Sequence, residues 1–169
     1  MLILRATQKT LTSLVKTADP GAPSDTALGD WYVNRVVVRR RPLLLLVSAK
    51  SRLLVLEPAQ GVKHLPLRVQ RFVGRRLAGL RVPSQCVFAE VAAMTPVYVQ
   101  GTQDRSVLGQ LVEFARVLPW YLPDGAFGDP DLRKAEEVLA QVPCVVAKQA
   151  SDVISPEREA RRLLIDRWA

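Results

Sequence analysis

The segment PLLLLVSA, residues 42–49, constrains this chain more than any other stretch. Leu43 to Val47 are apolar without a break, so no polar alternation marks a solvent face. A strand of that composition has to be covered on both sides and belongs in the middle of a sheet. Its flanks agree. Residues 31–39 and 52–57 are strand-like, and the connections at Arg39–Pro42 and Ala49–Ser51 are short. Short connections make antiparallel neighbours, so the three strands form a meander.

Around this meander the sequence alternates between patterns. LILRAT (2–7) reads as a first strand and 8–17 as a helix capped by Thr7. ADPGAPSD (18–25) is a loop, with two prolines and a glycine. Val69, Phe72, Val73, Leu77 and Leu80 lay an apolar stripe along a helix over 62–81, with Pro66 fitting its first turn. A short helix within 83–96, a strand at 97–101, a helix over 104–122 begun by Asp104, and a helix over 131–141 follow. Ser155, Pro156 and Glu157 open a last helix. The expected fold class is α+β: an antiparallel meander of about four or five strands with helices packed mainly on one face. Residues 1–150 are expected to form one domain, and 151–169 a helical appendage.

Charge is unevenly spread. The chain carries a net +8, yet residues 35–81 alone hold twelve Lys/Arg and one acid, Glu57, for a local +11. Such a segment favours an anionic partner, nucleic acid first or an acidic protein. Arg39, Arg40 and Arg41 on a hairpin and Arg68, Arg71 and Arg75 on a helix are the expected phosphate contacts; nothing suggests base readout. Arg outnumbers Lys by 18 to 6, so compositional bias accounts for the same charge equally well. No aliphatic run is long enough to span a bilayer, and MLILRATQKT turns polar after four residues. A cytoplasmic chain without a membrane partner is expected.

Several short strings form a wider pattern: TQK (7–9), LGDWY followed by Asn34 (28–34), RSVLG (105–109) and PC (143–144). Together and in this order they resemble a bacterial family described only as domain of unknown function 6933. The resemblance runs from residue 1 to about 147 and implies a small α+β protein without an assigned activity. After RSVLG the family continues Met-Asn-Asp, where this chain has Gln110, Leu111, Val112 and Glu113.

Two of these strings offer chemistry. Asp104, Arg105 and Ser106 stand at a helix start, where free N–H groups favour an anion; a plain cap explains them too. Asp30 is suited to act as a general base or to orient Arg105 through a bidentate pair; an Asx turn beside a core Trp31 is the structural alternative. Asp30, Arg105 and Ser106 are therefore the candidate catalytic residues of a phosphate- or nucleotide-handling enzyme, the main rival to the binding protein. His64 is a lone general acid/base or a surface cap. Cys144 has no base close in sequence and reads as a small buried hydrophobe. Cys86 and Cys144 are expected as thiols, with a disulfide open. No metal-ligand spacing or nucleotide motif is present, so neither metal nor cofactor is expected. A third reading is a protein-interaction module of a two-component bacterial system. Leu163, Leu164 and Trp168 then give residues 155–168 an apolar face for a homodimer.

Overall fold

A computed structural model of the chain describes residues 1–146 and 153–169. Five strands form the main sheet: β1 (Leu2–Ala6), β2 (Trp31–Val38), β3 (Arg41–Ser48), β4 (Leu54–Pro58) and β5 (Val97–Gly101), in the order β4-β3-β2-β1-β5. The Leu43–Val47 strand has a neighbour on each side, and all five of its residues are buried. β2, β3 and β4 pair antiparallel, with Asn34 opposite Leu45 and Leu45 opposite Leu56.

The sheet as a whole is mixed, which corrects the expectation of an antiparallel one. β1 runs parallel to both β2 and β5. The physical reason lies in the connections. Residues 7–30 separate β1 from β2, long enough for a crossover, whereas the meander turns permit only reversal.

The expectation of helices mainly on one face is corrected as well. The helices are α1 (Gln8–Leu11), α2 (Leu65–Ala78), α3 (Ser84–Ala93), α4 (Arg105–Val117), α5 (Asp129–Leu139) and α6 (Pro156–Trp168). One core gathers Trp31, Val33, Leu44, Leu46 and Val55 from the sheet with Val69, Val73 and Leu77 of α2, Cys86 of α3 and Leu164 of α6. A second gathers Tyr32, Leu43, Leu45, Val47 and Leu56 with Leu111 and Phe114 of α4 and Leu132 of α5. Successive leucines of β3 thus feed opposite cores, and the fold has three layers. A short ribbon of β6 (Cys144–Val145) and β7 (Val153–Ile154) joins α5 to α6.

The expected helix over 8–17 closes after one turn. Thr7 does not cap it; its Oγ1 donates to Asn34 Oδ1 at 2.9 Å. Thr10, Thr12 and Ser13 then disfavour continuation, through β-branching and side-chain competition for backbone groups.

The expected domain boundary at 150/151 falls outside the described residues. On its far side, α6 buries Ala160 and Leu164 completely in the first core. Leu163 and Trp168, the rest of the face expected to dimerise, pack against the same core.

Candidate functional site

Asp30 lies at the entrance to β2, and its partner is Arg5 of β1, not Arg105. Arg5 Nε donates to Asp30 Oδ2 at 2.6 Å, and Ser24 Oγ donates to Oδ1 at 2.6 Å. Arg5 also reaches the Gly101 carbonyl at 3.2 Å. Both charged side chains are largely buried, and the pair ties β1, β2 and β5 together. Arg105 is exposed and makes no ion pair with the other described residues. No geometry here joins Asp30 to the start of α4.

That helix start is satisfied internally. Asp104 Oδ1 accepts from Ser106 N at 2.7 Å and Val107 N at 3.3 Å, and the Asp104 carbonyl accepts from Leu108 N at 3.1 Å. Asp104 N in turn donates to Tyr32 Oη at 3.1 Å. Ser106 Oγ donates to the Val146 carbonyl at 3.2 Å and accepts from Arg52 Nη2 at 3.1 Å. The Ser106 and Val107 N–H groups, which an anion would use, are spent on a cap.

Thr7 of the TQK string and Thr10 just beyond it have a similar role. Thr10 Oγ1 accepts from Arg35 N at 2.9 Å and shares a hydrogen bond with Thr7 Oγ1. The three residues Thr7, Thr10 and Asn34 therefore stitch α1 to β2.

Cys144 is buried, and burial pushes its thiol up to about 11, with the nearby Arg52 charge offsetting only part of that. At pH 8 about one molecule in a thousand then carries the thiolate, the form that reacts. Native protein should react with Ellman's reagent far more slowly than protein in denaturant, at both Cys144 and the buried Cys86. A thiol titrating within minutes in the native state would show an exposed or activated cysteine. His64 is exposed at the start of α2 and makes no side-chain cap bond.

The arginines of the expected nucleic-acid face divide. Arg39 and Arg40 form the tip of the β2–β3 hairpin, with φ of 48° and 66°. Two consecutive left-handed residues make the turn that such a tight hairpin needs, although side chains other than glycine and asparagine are strained there. Arg39 offsets the strain. Its guanidinium donates to the carbonyls of Pro119 at 2.9 Å, Leu122 at 3.3 Å and Pro123, and pairs with Asp124 at 3.3 Å. Arg41 stacks over Phe127, 4.6 Å from the ring centroid, on the α5 side. Arg75 is tied to Glu57 and Glu136. Arg40 is exposed, and Arg68 and Arg71 lie over the Phe72 ring at 4.8 and 5.4 Å.

Sequence reasoning missed a groove between α2 and α3. Gly74, Ala78, Val82, Val87 and Val91 line it, with Arg71 and Arg75 along one side, and it encloses about 450 Å³. Gly74 sets the helix approach, since a Cβ there would come within 3.2 Å of Val91 Cγ2. α3 is inverted relative to an ordinary amphipathic helix. Glu90 is fully buried while Phe88 is 75% exposed. The Glu90 carboxylate accepts from Ala27 N at 2.7 Å, Leu28 N at 3.0 Å and Trp168 Nε1 at 2.8 Å. The signal was present as an acid among Cys86, Val87, Phe88 and Val91, but apolar content hides which face points outward.

Among the described residues no group of His, Cys, Asp and Glu is arranged to hold a metal ion. No helix of the described residues is long and apolar enough to cross a membrane. Fold and site together define a three-layer protein with a mixed sheet, in which Thr7, Asp30, Asn34 and Ser106 of the shared strings make hydrogen bonds that hold strands and loops in place. The chain belongs to the family described as Domain of unknown function (DUF6933), whose model matches residues 3–159. That match extends into α6, beyond the expected end of the resemblance near residue 147. No curated protein and no solved structure gives a significant match.

Proposed function

We propose that the chain is a binding module that holds an acidic, amphipathic segment of a partner protein in the groove between α2 and α3. Phe88 carries the reading: a large aromatic side chain, 75% exposed beside an apolar groove, marks an interaction surface. Leu67, 82% exposed on α2, extends the apolar area. The charge of the partner follows from the surroundings. Between Pro58 and Gly101 the exposed or half-buried cations without an ion pair among the described residues are Lys63, Arg68, Arg71 and Arg81, Arg75 being paired and Arg76 buried, and the one acid of that stretch, Glu90, is buried. An apolar helix face fits the groove, and acidic residues flanking it fit the arginines.

The test is co-purification of tagged full-length chain with its bound polypeptide, identified by mass spectrometry. Phe88→Asp should remove the polypeptide and leave the melting temperature within a degree or two, because the side chain is solvent-facing. Retention of the same polypeptide by Phe88→Asp would refute the groove.

Nucleic acid is the second reading, favoured by one observation. Ala59 N donates to the Pro42 carbonyl at 3.0 Å, and Arg68 Nη1 to the Gln60 carbonyl at 2.7 Å. These bonds bring the start of α2 beside the hairpin that carries Arg40 and Arg41. Duplex binding that falls steeply with salt, and weakens equally on all sequences in Arg68→Ala and Arg71→Ala, would favour it. No gel shift at low salt would remove it.

A further inference from the structure

A polar cavity lies between the end of α2, the end of α5 and the start of α6, with a volume of about 480 Å³. Arg76, Arg81 and Arg161 line it, faced by Glu137 and Glu157. Arg76 is the unusual member. The residue is 4% exposed, yet it forms no ion pair with the other described residues. Its Nε is buried without a hydrogen-bond partner, and its one bond is a long 3.5 Å contact from Nη2 to the Glu136 carbonyl. A buried guanidinium normally has its five N–H groups matched by carboxylate or carbonyl oxygens, because leaving them unmatched sacrifices hydration without return. Arg75, one residue earlier, shows what satisfaction looks like here: it forks onto Glu136 at 2.7 and 3.0 Å.

The other groups around the cavity point the same way. Arg161 Nη2 pairs with Glu157, while Arg161 Nε is also buried without a partner. Glu157 is engaged further by Gln141 Nε2, so this acid is already occupied, and it forms no ion pair with Arg76. Glu137 is exposed at the rim. Arg81, at the opposite rim, is exposed and held at a φ of 52°, a strained conformation for a side chain of its kind. Three cations therefore face two acids, one already paired.

We propose that this cavity binds an oxyanion, a phosphate or carboxylate group, with Arg76 as its buried anchor and Arg81 and Arg161 completing the contact. A planar fork of donors in a polar cavity is the arrangement that recognises such a group. The site is independent of the α2–α3 groove, since Arg71, Gly74 and Phe88 take no part in it.

The full-length chain should be titrated with inorganic phosphate and, in a separate arm, with acetate, at constant ionic strength. Isothermal calorimetry and thermal unfolding are the readouts. Saturable binding of one anion per chain is expected; the arm that binds more tightly tells a phosphate site from a carboxylate site. Arg81→Ala, at the exposed rim, should fold normally and weaken that binding by roughly tenfold, the loss of one charge-assisted contact. Arg76→Gln should abolish it. Should Arg76→Gln fail to fold, Arg81→Ala and Arg161→Gln decide alone. No saturable binding of either anion, or binding that these substitutions leave unchanged, overturns the site.

Discussion

Replacing Glu136 with alanine is expected to destabilise the protein by about 3–5 kcal/mol, the range found when one partner of a buried ion pair is removed. Glu136 is fully enclosed beneath α5. Its Oε1 accepts from Leu56 N at 2.7 Å, Arg75 Nη2 at 2.7 Å and Arg133 Nη1 at 2.9 Å. Truncation leaves the Leu56 N–H unmatched inside the second core and two guanidiniums sharing Glu57 alone. Both arginines keep some contact with water, which holds the loss near the lower end of that range.

Glu136→Gln should behave differently. Burial pushes the Glu136 carboxyl up to about 7, against the pull of the Leu56 N–H and the Arg75 charge. The neutral form is therefore nearly as acceptable in the fold as the charged one at neutral pH, and an amide imitates it while still accepting from Leu56. The pH dependence follows. With a folded-state value above the unfolded one, the folded chain holds the extra proton, so this group favours folding fully below about 4.5 and the benefit is lost as pH rises through 7. Urea unfolding at pH 6 and pH 8 should find the wild type more stable at pH 6, with a smaller difference in Glu136→Gln. A loss under about 1 kcal/mol in Glu136→Ala would mean the cluster is not the buried tie described here.

The parts of the fold legible in sequence were those governed by local patterns. The antiparallel pairing of β2, β3 and β4, the stripe of α2 and the Asp104 cap depend on neighbours a few residues apart, and each is where its residues indicated. The parallel pairing of β1 depends on which strand edge remains free after the meander forms, and no local pattern encodes that. The same limit governs the site. Asp30 signalled a charge partner, and it has one, but Arg5 and Arg105 are equally arginine in sequence. Arg5 alternates within a strand of buried residues, LILRA, which reads as a strand and not as a site. The basic segment 35–81 misleads for a related reason. Net charge counts Arg39, Arg52, Arg75 and Arg76 as available, whereas the fold uses Arg39 as a turn clamp, buries Arg52 and Arg76, and pairs Arg75. Arginine serves structure as readily as recognition when its stem covers apolar surface and its fork reaches carbonyls.

Deleting residues 156–169 should abolish cooperative folding. The expectation of a separable appendage rested on where the short family strings end, but the packing argues for the opposite outcome. α6 places Ala160 and Leu164 in the first core with no exposure, and packs Leu163 and Trp168 against it. Burying a leucine-sized side chain is worth about 1.5–3 kcal/mol, so losing this set removes on the order of 5 kcal/mol or more. That is comparable to the whole stability of an ordinary domain, about 5–15 kcal/mol. Polar losses add to it. Trp168 Nε1 donates to Glu90, whose carboxylate is fully buried and also holds the Ala27 and Leu28 N–H groups that lead into Gly29 and Asp30. Removing the helix uncovers Glu90 and loosens the entrance to β2. Trp168→Phe removes the N–H donor while keeping a smaller aromatic ring against the core, and should cost only about 1–2 kcal/mol. Circular dichroism melts of the truncated chain, the single substitution and the wild type decide the matter. A truncated chain that melts cooperatively within a few degrees of wild type would make α6 an appendage after all, and would free its apolar face to dimerise. An insoluble or non-cooperative truncated chain assigns that face to the core.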